Sequence, residues 1–88
     1  MVAGRYVISN PLGLHARAAA RFVQIAGRFT SRIRVTRGAR TVDGKSILGL
    51  MLLAAAKGTA IDVAVEGDDE EAALEALGGL IARGFEAP

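Results

Sequence analysis

The chain has 88 residues, enough for one domain (1–88) with a modest core and too few for an enzyme that encloses a large substrate. Hydrophobic residues make up 51% and charged residues 23%, which excludes a disordered chain. The net charge is +2, cysteine is absent and there is one histidine, so disulfides and thiolate metal sites are excluded, and neither a metal nor a cofactor is expected.

Met1 to Ser9 is too short and too polar for a signal peptide, and the chain reads as cytoplasmic. Val2 to Ile8 alternates as a strand, with Tyr6 and Ile8 on one face and Arg5 and Val7 on the other. Asn10-Pro11-Leu12-Gly13 is a turn or loop. Ala16 to Gly27 has helical spacing. Ala19, Phe22, Val23 and Ala26 share one face, Arg17, Arg21, Gln24 and Arg28 another, and Gly27 is a stop.

Arg32 to Thr36 alternates as a half-buried strand. Arg37-Gly38-Ala39-Arg40 is a hairpin turn into a short strand from Arg40 to Asp43. Ser46 stands at an N-cap position before the apolar run Ile47 to Ala56, and Lys57-Gly58 closes that helix. The run is too short to span a bilayer, which needs about 20 residues, so no membrane insertion is expected. Thr59 to Glu66 is the last strand, with Ile61, Val63 and Val65 inward. Asp68 opens a third helix with Glu71 completing a capping-box pattern, and Leu74, Leu77, Ile81 and Phe85 form its apolar stripe. Gly78-Gly79 weakens this helix by roughly 1 kcal/mol per glycine relative to alanine.

The order βαββαβα predicts an α+β open-faced sandwich: a four-stranded, mostly antiparallel sheet with three helices on one face. Within it, His15 falls between a Pro/Gly loop and a helix, at or near the N-cap. The following amides, Ala16 to Ala18, lack intrahelical acceptors, and the helix dipole adds positive potential, so an anion is welcome there. Arg17 adds a planar guanidinium that suits phosphate oxygens. The same field disfavours imidazolium and leaves a neutral ring with a nucleophilic nitrogen. A lone loop histidine serving as a weak cap is the simpler alternative on these grounds.

Gly13-Leu14-His15-Ala16-Arg17-Ala18 resembles the active-site motif of HPr, the histidine-containing phosphocarrier family of the bacterial phosphoenolpyruvate-dependent phosphotransferase system. Lys45-Ser46-Ile47-Leu48-Gly49-Leu50-Met51 resembles that family's regulatory-serine segment, and the resemblance covers essentially the whole chain. It implies that His15 accepts a phosphoryl group from phospho-enzyme I on Nδ1 and passes it to enzyme II A-type domains or regulatory equivalents. Arg17 then holds the phosphoryl oxygens. Many members have proline where this chain has Ala18, which implies altered loop stiffness and not lost chemistry.

A helix apolar all round must be buried or meet a partner, and some of Ile47, Leu48 and Met51 should be exposed. By resemblance this patch is where enzyme I and enzyme II domains dock, rimmed by Arg17, Arg21 and Gln24. Ser46 is an N-cap on its own chemistry. By resemblance it is also a target of an HPr kinase/phosphorylase, which would put about −2 of charge beside the patch.

Two other readings stay open. One is a carrier in a nitrogen-related regulatory relay. The other is a basic nucleic-acid-binding α+β domain, invited by Arg32, Arg34 and Arg37 but lacking aromatic residues for a stacking platform. The chain is expected to be a monomer that neither binds nucleic acid nor catalyses a reaction alone.

Overall fold

The computed structural model describes residues 1–86; Ala87 and Pro88, the end of the expected 1–88 domain, lie outside the described residues. The elements are β1 (Val2–Val7), α1 (Ala16–Ala26), β2 (Arg32–Arg37), β3 (Arg40–Asp43), α2 (Ile47–Leu52), β4 (Ala60–Glu66) and α3 (Glu70–Ala82). This is the expected βαββαβα order. The sheet order is β1-β4-β2-β3, and every pair is antiparallel.

Strand alternation decides which face is covered. Ile33, Val35, Ile61, Val63 and Val65 point inward and are buried, while Arg32, Arg34, Ala60 and Glu66 point out. The helices supply the other half of the core, chiefly Phe22, Leu50, Leu77, Leu80 and Ile81. Full burial of each such side chain stabilises by roughly 1.5–3 kcal/mol. On the open face charges alternate in sign. Arg5 donates to Asp62 at 3.0 Å, Arg34 stands opposite Asp43, and Arg32 stands opposite Glu66. The strand aromatic, Tyr6, is half-buried on the other parity, its ring filling the space that Gly78 leaves by lacking a Cβ.

Boundaries differ from expectation by one residue where α1 ends at Ala26, β2 extends to Arg37 and β4 begins at Ala60, and they differ further elsewhere. β1 ends at Val7, yet Ile8 is buried and still bonds across the gap: its N–H donates to Thr59 O at 2.9 Å and its carbonyl accepts from Gly58 N–H at 2.8 Å. α2 stops after Leu52 and does not run to Ala56. Beyond it Ala54 takes a positive φ of 51°, and Leu53 and Ala55 turn into the core. Arg37 and Arg40 of the β2–β3 hairpin donate to Leu53 O and Leu52 O at 3.0 and 2.8 Å, placing cations at the negative end of the helix.

α3 starts at Glu70, not Asp68, and Glu71 is exposed and forms no capping box. Glu70 is the residue that reaches back, accepting from Gly67 N–H at 3.1 Å. Asp69 instead crosses to the start of β2. It accepts from the hydroxyl of buried Ser31, from Thr30 N–H at 2.9 Å and from Ser31 N–H at 3.0 Å. These bonds, the Ser31 hydroxyl foremost, hold its carboxyl down at about 2, from an ordinary value of 3.8. Glu70 is also lowered, first by the Gly67 amide and then by the N-terminal amine. Finally, Phe85 lies beyond the helix it was expected to continue, though it is buried.

Candidate functional site

The loop before α1 is shaped by its own polar groups. Asn10 Nδ2 donates to Gly13 O at 2.7 Å, and Gly13 N–H donates to Asn10 O at 3.1 Å. Gly13 has φ 65°, and a Cβ there would collide with the Ala55 carbonyl, so glycine alone fits. Leu14 is buried and its N–H donates to Ala55 O at 2.9 Å. The segment released by the early end of α2 therefore anchors the residue that precedes His15.

His15 is the N-cap of α1. Its backbone is extended (φ −82°, ψ −178°), its carbonyl accepts the first helical bond from Ala19 N–H at 2.8 Å, and its Nδ1 accepts from Arg17 N–H at 3.2 Å. A nitrogen that accepts an N–H presents its lone pair, which assigns the ring proton of the neutral form to Nε2. Nδ1 thus carries the free lone pair, and it faces the open end of the helix. Ala16 and Ala18 N–H find no acceptor among the described residues, and the first turn of α1 holds no acid. Ala18 is buried and Ala16 exposed, so small side chains line the approach.

The cationic residues divide. Arg17 is exposed, and its guanidinium has no hydrogen-bonding partner among the described residues. Arg21 is half-buried, and its Nη1 donates to Phe85 O at 2.7 Å. Gln24 is exposed one turn further along. His15, Arg17 and Arg21 line one open depression. Sequence reasoning did not assign its other walls, Asn10 to Leu12 and the C-terminal turn Gly84 to Glu86, to the site. The turn's one sequence signal is Gly84, a helix-stop residue.

Ser46 caps α2, its Oγ accepting from Gly49 N–H at 3.0 Å. Ile47, Leu48 and Met51 are 43%, 69% and 42% exposed, joined by Leu52, which was not singled out. α1 and α2 pack against each other. No helix among the described residues is long and apolar enough to cross a membrane.

Residues 2–83 match the family model described as PTS HPr component phosphorylation site. The chain is 51% identical to the phosphocarrier protein HPr of Pseudomonas aeruginosa, over 98% of this chain and 97% of that one. It is 49% identical to the phosphocarrier protein HPr of Cupriavidus necator, over 89% and 88%. The crystal structure of HPr-C-His from Thermoanaerobacter tengcongensis superposes with a TM-score of 0.94 at 43% identity, covering 100% of this chain and 99% of that one.

Proposed function

The chain belongs to the HPr family of phosphocarrier proteins of the phosphotransferase system, and on that premise we propose that His15 Nδ1 is the atom that carries the phosphoryl group. The observation that carries the proposal is the N-cap geometry, in which Nδ1 accepts from Arg17 N–H while the Ala16 and Ala18 amides stand open.

The chemistry follows from that geometry. The Nδ1 lone pair attacks phosphorus as the bond between phosphorus and the donor group of phospho-enzyme I breaks, so one bond to phosphorus replaces another. Arg17 N–H, released from Nδ1, turns with the Ala16 and Ala18 amides toward the new phosphoryl oxygens. The helix dipole favours the added negative charge. The unpaired Arg17 guanidinium swings onto the same oxygens. Attack on Nδ1–phosphorus by an enzyme II A-type domain reverses the process. Because no general base is needed, the protein is a carrier and not a catalyst in its own right.

Ile47, Leu48 and Met51 give both partners an apolar docking patch, with Gln24 and the outward N–H groups of Arg21 at its polar rim. Ser46 is half-exposed at the start of that patch. Phosphorylation there by an HPr kinase/phosphorylase keeps α2 capped but sets a dianion beside the apolar contact, weakening docking of phospho-enzyme I.

Incubation with phosphoenolpyruvate and enzyme I, followed by intact-mass measurement, tests this. One acid-labile phosphoryl group is expected, absent in His15→Ala. Arg17→Ala should slow transfer roughly 10-fold or more with the thermal midpoint unchanged. Equal labelling of His15→Ala refutes the proposal.

A further inference from the structure

Arg21 stands one helical turn beyond Arg17, yet its environment differs. Its guanidinium is half-buried and committed to a backbone carbonyl 64 positions away, Phe85 O, at 2.7 Å. The segment it grips is shaped to be gripped. α3 ends with Phe85 N–H bonded to Leu80 O at 2.9 Å and Gly84 N–H bonded to Ile81 O at 3.0 Å, the paired bonds of a Schellman ending. Gly84 and Phe85 both have positive φ, 65° and 64°. For phenylalanine this backbone is uphill and persists only where its surroundings hold it. The buried Phe85 ring, the Phe85 N–H bond to Leu80 O and the Arg21 hydrogen bond hold it, and of these only the Arg21 bond ties the turn to α1. The turn so held, Gly84 to Glu86, forms a wall of the depression that contains His15 and Arg17.

We propose that Arg21 is a positioning residue: it pins the C-terminal turn against α1, and the wall so formed shields a phosphoryl group on His15 from water. This rests on the carrier reading and deepens it. The reaction suppressed is hydrolysis, in which water oxygen bonds to phosphorus, the P–Nδ1 bond breaks, inorganic phosphate leaves and the ring recovers its lone pair. A carrier that loses its group to water delivers nothing, so exclusion of water is the useful contribution of a wall that does not touch the transfer itself.

The test is the lifetime of the phosphorylated, isolated protein after enzyme I is removed, read by intact mass in wild type, Arg21→Ala, Arg21→Lys and Gly84→Ala. Arg21→Ala, brought to full loading with excess enzyme I because Arg21 also rims the docking patch, should hydrolyse at least about 3-fold faster, toward the low end of what loss of one hydrogen bond implies. Arg21→Lys, which keeps a donor within reach of Phe85 O, should recover most of the lifetime. Gly84→Ala strains the same turn from its other side and should shorten the lifetime as well. Its effect should not add to that of Arg21→Ala, because both release one wall.

An unchanged lifetime in Arg21→Ala overturns the proposal, as does an equal lifetime of Arg21→Lys and Arg21→Ala, or additivity in the double variant. If Arg21→Ala does not fold, Gly84→Ala with an unchanged lifetime overturns it instead. Failure of wild type to load at His15 removes the carrier reading and this proposal together, whereas a loaded wild type with indifferent variants removes this proposal alone.

Discussion

Two helices of this domain begin in opposite ways. α3 opens with Glu70 and Glu71 in its first turn; Glu70 bonds the Gly67 amide, and the preceding Asp69 collects four donors from Thr30 and Ser31. α1 has no acid in its first turn, and the side chain at its end is the hydrogen-bond acceptor His15. The positive potential of α3 is consumed by its own carboxylates and serves to fix α3 against the sheet. That of α1 is left for an incoming anion. A helix start whose positive potential is met by its own carboxylates reports stability, and one without them is open to an anion.

This contrast can be broken by giving α1 what α3 has. Ala16→Glu places a carboxylate at an exposed first-turn position. It should raise the thermal midpoint by a few degrees through the dipole, about 0.3–1 kcal/mol, while His15 phosphorylation falls roughly 10- to 100-fold. Parallel melting and mass measurements check both; undiminished labelling would show that open amides are not what makes α1 reactive. Ser46→Ala sharpens the comparison with a third helix start. Loss of that cap should cost about 1 kcal/mol and lower the midpoint by about 4–8 °C, with His15 loading at saturating enzyme I unchanged. A parallel fall in loading would tie the cap of α2 to the acceptor.

The smallest effect concerns acid. Asp69 is lowered in the fold, so its contribution to stability is complete above the ordinary carboxylate value of 3.8 and is lost as the pH falls toward about 2. Glu70, also lowered, acts in the same direction. Urea midpoints should therefore decline across that window, and less steeply in Asp69→Asn. Equal slopes for the two proteins would mean that the bonds to Ser31 and Thr30 are worth the same in both protonation states.

The sheet and the acceptor were legible from sequence because both rest on local rules. Period-two alternation set the faces of β2 and β4, and a histidine between a Pro/Gly loop and a helical stripe had little choice but to cap. What escaped reading was settled by backbone bonds between distant segments. α2 ends early because Ala55 O is needed by Leu14 N–H and Leu53 by the core, and no side-chain pattern encodes a carbonyl's partner. Asp69 resembles a helix-start acid in sequence, and only the fold brings β2 within its reach. Likewise Phe85 keeps its place in the apolar stripe while leaving the helix, since burial alone does not distinguish a further turn from a reversal.

The strand order has a consequence for biosynthesis. β4 lies between β1 and β2 and, among the described residues, is the only strand that pairs with both, yet it arrives after two thirds of the chain has been made. Until Ala60 to Glu66 emerges, β1 has no neighbour and the imidazole at position 15 has no frame. Closure must await this late, long-range pairing, which makes folding a matter of topology more than of local helix formation. A nascent chain halted before Ala60 displays the reactive side chain without the architecture that gives it meaning.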